Sequence, residues 1–258
     1  MIKIFASLCF IITIGFLSSC AQNNVPTRGT FAPDAKEYAS GIVQVYSART
    51  RGAKQAVSVH TWISTKKSTD DHYTSYEIIG WKLRRHDSAL VVRENLPDRD
   101  WWGNQPELLL DYREQDADKV IDKIKLAVEQ YPYKDKYQAY PGPNSNTFTA
   151  MIAAQAPELG LDLPSTAIGK DYKAFSNTFG MSTSGTGVQA SFFGMLGLTL
   201  GYEEGIELNV LGLNFELDIF DLAIELPAVG RIGSAPAQKQ QNEELNRTTT
   251  LIAGELSD

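Results

Sequence analysis

An α+β domain is the fold this chain predicts, because a run of strand-like segments is followed by two helical ones and then by a second run of strands, with no βαβ alternation. Composition agrees: 258 residues at 43% hydrophobic and 21% charged suit a folded chain and are too apolar for disorder. The expected architecture is an antiparallel sheet packed on two helices, with a glycine-rich strand extension at the C-terminal end.

Taken in order, residues 1–19 read as a signal peptide. Lys3 supplies a short positive start, and Ile4 to Leu17 form an apolar stretch shorter than the ~20 residues a permanent transmembrane helix needs. It ends in Leu17-Ser18-Ser19-Cys20, which resembles the lipobox of bacterial lipoproteins. The resemblance implies that Cys20 is acylated and becomes the first mature residue, so that the membrane is a partner through its lipid. A plain secretory signal with a chance cysteine is the competing account. Ala21-Gln22 follow without an aspartate, which under the same resemblance implies an outer-membrane lipoprotein facing the periplasm. Residues 20–40 carry Pro26, Gly29 and Pro33 and read as the lipidated cysteine and its tether. Cys9 leaves with the signal, and no other cysteine remains.

A single domain is expected over residues 41–233. Ile42 to Tyr46 and Ala56 to Ile63 are rich in β-branched and aromatic residues, with Arg51-Gly52 turning between them. Tyr73 to Leu83 and Ala89 to Arg93 continue the sheet, and a loop holding Trp101-Trp102-Gly103-Asn104 follows. Val120, Ile121, Ile124, Ala127, Val128 and Tyr131 then share one helical stripe that Pro132 ends. After Tyr140-Pro141-Gly142-Pro143, Asn144 or Ser145 caps a second helix running to about Ala156. Ser191 to Leu200, Ile206 to Leu213 and Phe215 to Ile224 read as three strands of a buried sheet. Residues 234–258 read as a polar tail.

A net charge of −7 gives no basic surface to neutralise phosphates, so nucleic acid is not an expected partner. His60, His72 and His86 lack metal-ligand spacing, and no thiol remains to assist them. Gly185-Thr186-Gly187-Val188-Gln189-Ala190 matches a dinucleotide fingerprint loosely, yet it opens no amphipathic helix. Neither a metal nor a cofactor is expected.

What remains is a constellation. His60 lies within an apolar strand, and Ser145 begins a helix in Pro143-Asn144-Ser145-Asn146-Thr147-Phe148. A hydroxyl at a helix N-terminus gains from the dipole and from backbone donors that stabilise an oxyanion. The expected roles are Ser145 as nucleophile, His60 as general base and Glu77 as the group orienting it, with His72 as runner-up. The amides of Ser145 and Asn146 are the expected oxyanion donors. The competing account makes Ser145 a helix cap and His60 a satisfied sheet residue. Trp101-Trp102 is either a stacking platform or a core cap.

Several long motifs carry a family resemblance: Val43-Gln44-Val45-Tyr46-Ser47-Ala48-Arg49, His60-Thr61-Trp62-Ile63, Tyr76 to Trp81, Pro141 to Phe148, Pro157 to Pro164, Ala167-Ile168-Gly169-Lys170-Asp171 and Leu226 to Gly233. The chain resembles the bacterial domain of unknown function 3750 over about residues 41–233. Less specifically, a strand histidine followed by Asn144-Ser145-Asn146-Thr147-Phe148 is similar to the circularly permuted papain-like enzymes. Those include permuted relatives of the NlpC/P60 peptidases, the PPPDE peptidases and lecithin retinol acyltransferase. That resemblance implies a papain-like groove and a hydrolase or acyltransferase of amide or ester bonds acting on envelope peptide or lipid. The departure is serine in the place of cysteine, and a hydroxyl depends far more than a thiol on its base. The rival expectations are a catalytically inactive domain binding envelope peptide, glycan or lipid, and a purely structural lipoprotein.

Overall fold

The structure, a computed structural model, describes residues 31–174, 177–227 and 229–234. The expected signal peptide, Cys20 and nearly all of the polar tail lie outside the described residues. From Phe31 the expected tether already lies against the domain. The amides of Phe31 and Ala32 donate to Asp98 Oδ2 at 2.9 and 3.2 Å, and the Tyr73 hydroxyl donates to the Pro33 carbonyl.

The fold is mixed helix and sheet, with two antiparallel sheets and two helices. The first sheet contains β1 (Ile42–Arg49), β2 (Val59–Lys66), β3 (Thr74–Ile78), β4 (Leu90–Glu94) and β5 (Glu107–Tyr112), in the order β4-β3-β2-β1-β5. Strand β2 starts three residues later than expected because Gly52–Ala56 winds into a 3-10 turn, entered through Gly52 at φ 75°. The third strand stops at Ile78, not Leu83, since Gly80–Arg84 forms another such turn. The helices α1 (Ala117–Gln130) and α2 (Ser145–Ala153) cover one sheet face. The α1 stripe is buried as its period requires, and Ile121, Ile124, Phe148 and Ile152 meet Val43, Val45, Ile63 and Tyr76 in one core. Each such side chain contributes about 1.5–3 kcal/mol when removed from water. On the other face Tyr46, Trp62, Ile79 and Trp101 form a smaller cluster.

The second sheet has seven strands in sequence order: β6 (Phe179–Met181), β7 (Val188–Phe192), β8 (Leu196–Gly201), β9 (Gly205–Val210), β10 (Leu213–Asp218), β11 (Ala223–Leu226) and β12 (Gly230–Gly233). The loose glycine fingerprint supplies the turn into β7, not a helix start. Two of the three expected strands split, because Phe193-Gly194-Met195 and Ile219 to Leu222 are turns dominated by large apolar residues. The expectation of a buried apolar sheet is also corrected. Alternation turns Gln189, Thr199, Glu207, Asn209, Asn214 and Glu216 inward, and leaves Leu198, Leu208 and Phe215 exposed. The inward face is held by polar bonds: Asp171 Oδ2 accepts from Asn209 and Asn214 at 3.0 and 2.7 Å, and Lys170 pairs with Glu207. No helix among the described residues is long and apolar enough to cross a membrane.

Candidate active site

The turn before α2 fixes the site. The Asn144 side-chain oxygen accepts the amides of Asn146 and Thr147 at 2.9 and 3.1 Å, while the Thr147 hydroxyl accepts the Asn144 amide, closing a capping box. Asn144 is therefore the cap and Ser145 the first helical residue. The helix ends at Ala153, about one turn earlier than expected. Because the cap role is filled, the Ser145 hydroxyl makes no hydrogen bond to any described residue, and Ser145 lines a cleft. The Asn146 amide, expected at an oxyanion, already donates to Asn144. Of the two expected oxyanion donors, this leaves the Ser145 amide without a cap bond.

Asn146 does something else. Its Nδ2 donates to the Val59 and Ile168 carbonyls at 3.0 and 2.9 Å, and its Oδ1 accepts the Thr61 hydroxyl at 3.1 Å. Val59 and Thr61 flank His60, so Asn146 ties the start of α2 to β2 on both sides of the histidine. Strand alternation puts His60 on the sheet face opposite Thr61. The pairing of β2 with β3 ends at Ile63 and Tyr76, leaving a gap beside residues 59–62. There His60 and Ser145 line one cleft of about 170 Å³, with Gly80, Trp81, Trp102 and Tyr137 among its walls. No hydrogen bond between the two side chains is formed among the described residues.

His60 is held by its other partners. Its Nε2 lies 2.9 Å from Glu77 Oε2, and the Trp101 ring stacks on it with centroids 3.7 Å apart and 6° between planes. Its Nδ1 has no partner among the described residues. Burial lowers the His60 pKa below 6.5, against the opposing pull of Glu77. A neutral imidazole donating from Nε2 to Glu77 therefore presents a lone pair at Nδ1.

Glu77 has no exposed surface. Burial alone would raise its pKa, but the hydrogen bond and charge of His60, with Arg99 and Arg93, hold it at about 2. The ionised state does not need a charged imidazole, since Arg93 Nη2 donates to Glu77 Oε1 at 2.6 Å and Arg99 donates to the same oxygen. Arg99 sits over the Trp62 and Trp101 rings, 4.9 and 5.5 Å from their centroids. Of the expected residues, His60, Glu77 and Ser145 thus come together. His72 is exposed and binds Asp71 and Glu94 instead. The tryptophan pair divides its labour: Trp101 is packed on His60, and Trp102 is 55% exposed with Arg51 above its ring.

Arg93 and Arg99 were not foreseen. One signal for Arg93 lay in the strand periodicity: Val91 pairs with Glu77, so Arg93 lies on the Glu77 face two residues along β4. Nothing local marks Arg99, which reaches Glu77 from a loop.

A family model described as "Protein of unknown function (DUF3750)" matches residues 40–172, just over half of the chain. The match contains β1 through α2 and all of the residues named above, and it stops before β6. No curated protein and no solved structure matches the chain.

Proposed function

The chain belongs to the DUF3750 family, and on that premise we propose that its member described here is a serine-dependent hydrolase or acyltransferase of amide or ester bonds in the cell envelope, tethered by lipid on Cys20 at the periplasmic face of the outer membrane. One observation carries this reading: an ionised carboxylate orients a neutral histidine in the cleft that Ser145 also lines, and neither the second ring nitrogen nor the serine hydroxyl has a hydrogen-bond partner among the described residues. In the proposed step Ser145 Oγ attacks the carbonyl carbon and its proton passes to His60 Nδ1. The Ser145 amide steadies the oxyanion. The amine or alcohol then leaves with the proton from His60, and water or an acceptor hydroxyl resolves the acyl–Ser145 ester. The missing Ser145–His60 bond does not oppose this, because such bonds commonly tighten only once substrate is bound. A cleft of about 170 Å³ is below the usual size of small-molecule pockets, which suits entry of one reacting group of a longer peptide or lipid. A papain-like groove is part of the proposal, supported by the strand histidine beside the helix-borne nucleophile.

A second reading takes the cleft as a binding site alone. It is favoured by Trp81 and Trp102, 46% and 55% exposed at the rim, which suit stacking on a sugar or peptide. A fluorophosphonate probe separates the two. Labelling at Ser145 that His60→Ala abolishes supports the enzyme. Absence of labelling, with retention of the protein on peptidoglycan fragments lost in Trp102→Ala, supports binding. Ser145→Cys adds a direct check, since a competent site should then react with thiol-directed probes that leave the Cys20 background unchanged. Intact-mass measurement of the mature chain tests the lipid, and an unmodified Cys20 would remove that part of the proposal.

A further inference from the structure

We propose that the outward face of the seven-stranded sheet is covered by the same face of a second copy of this chain, forming a symmetric dimer. In β9 and β10 every second residue is exposed, and those residues are Ile206, Leu208, Val210, Leu213, Phe215 and Leu217. The outward positions of β7 and β8 continue the face without a single charge. The polar residues that would ordinarily face water are turned inward and bonded to Asp171 and Lys170. The sheet thus has the pattern of half a β-sandwich, whose apolar side meets another sheet about 10 Å away.

Area decides what kind of partner fits. Seven strands about 4.8 Å apart, each about five residues long at 3.3 Å per residue, give a footprint on the order of 500 Å² per copy. Two such faces, with side-chain relief added, reach the roughly 1,200 Å² where specific dimers begin. One such face is at the upper end of the apolar patches that soluble monomers leave open, and patches of that size often mark an interaction site. A groove of about 600 Å³ between Phe179, Met181, Val188, Leu198 and Leu200 gives the face relief into which a partner's side chains can pack.

Charge argues against a bilayer as the occupant. Surface-bound elements carry Lys or Arg at their rim and Trp at the interface. Here the turns at one end of the strands carry Glu203 and Asp221, both partly exposed, and the outward positions hold no Trp. The sequence after Ser234 does not suit the role either, since its longest apolar run is Leu251-Ile252-Ala253.

Site-directed crosslinking in cells producing the full chain tests this. Leu208→Cys and Phe215→Cys lie on the two central strands; Glu129→Cys, exposed on α1, and the parent chain with Cys9 and Cys20 serve as controls. A bis-maleimide spanning about 10 Å should yield a covalent dimer at the two face positions and not at the controls. Adding Leu217→Glu should remove it. Face positions that give no more dimer than Glu129→Cys overturn the proposal, both when they are shielded from a water-soluble maleimide by lipid and when they react with it on an open face.

Discussion

His60 is the residue whose protonation decides the proposed chemistry. Only the neutral ring accepts the Ser145 proton, so acylation should fall as pH drops through the His60 pKa. Burial holds that pKa below 6.5, and the midpoint of probe labelling against pH is therefore expected below 6.5; a midpoint above it would implicate another group. Stability follows with the same sign. A group whose folded pKa is depressed loses its contribution as pH falls from the unfolded value toward the folded one. For His60 the loss begins near 6.5, and for Glu77 it runs from about 4.5 to about 2. Urea titrations across this range should show the second loss vanish in Glu77→Gln. That variant should also be less stable by about 3 kcal/mol at neutral pH, since Arg93 and Arg99 lose their shared carboxylate. Ser145→Ala, by contrast, removes a hydroxyl with no hydrogen-bond partner among the described residues and should shift stability by less than about 0.5 kcal/mol while abolishing labelling.

At the scale of elements, the site depends on how α2 docks on β2. Asn146 is 2% exposed, and its side chain makes three bonds, two to β2 and one to the segment at Ile168. Asn146→Ala should cost about 2 kcal/mol or more by denaturation and reduce labelling, although Ser145 and His60 remain. Gly169 has φ 94°, and a Cβ there would lie 2.4 Å from Asn144 Nδ2. Gly169→Ala should therefore displace the cap and lower labelling in step with stability. Much of this was legible. The β-branched runs gave β1, β2 and β4, the 3.6-residue stripe gave α1, and the Pro-Gly-Pro-Asn turn gave the start of α2. The pairing of His60 with Glu77 was legible from their neighbouring strands. Other features were not, for physical reasons. Leu108-Leu109-Leu110 in β5 is as compatible with helix as with strand. The hairpin turns at Phe193-Gly194 and Ile219 to Leu222 put Phe193 at φ 52° and Leu222 at φ 51°, where Asn or Asp is the usual signal. With bulky residues in those positions, two strands read as one.

Across the whole molecule, the polarity of the second sheet is inverted relative to the usual arrangement, and its charges are set deep in the fold. Lys170 has a side chain 3% exposed, pairs with Glu207 and lies 3.7 Å from Asp162. Burial opposes its charge, but the surrounding carboxylates, Glu207 first, raise its pKa well above the ordinary value. Removing the cation strands Glu207, so Lys170→Met should destabilise the protein by about 3–5 kcal/mol in equilibrium unfolding. A loss below about 1 kcal/mol would mean that the network is not what holds the sheet to the segment before it. The alternation that buries these charges also produces the apolar outer face. Net composition could not reveal which side of each strand faces in, because that depends on what the neighbouring segment around Asp171 offers.

The proposed chemistry rests on Ser145 acting as a nucleophile activated by His60. Incubating the protein with a fluorophosphonate and mapping the adduct by peptide mass spectrometry tests it most directly. A single adduct on Ser145 is expected, lost in His60→Ala and weakened in Glu77→Gln. An unlabelled Ser145 in a folded protein, or labelling unaffected by His60→Ala, would contradict it.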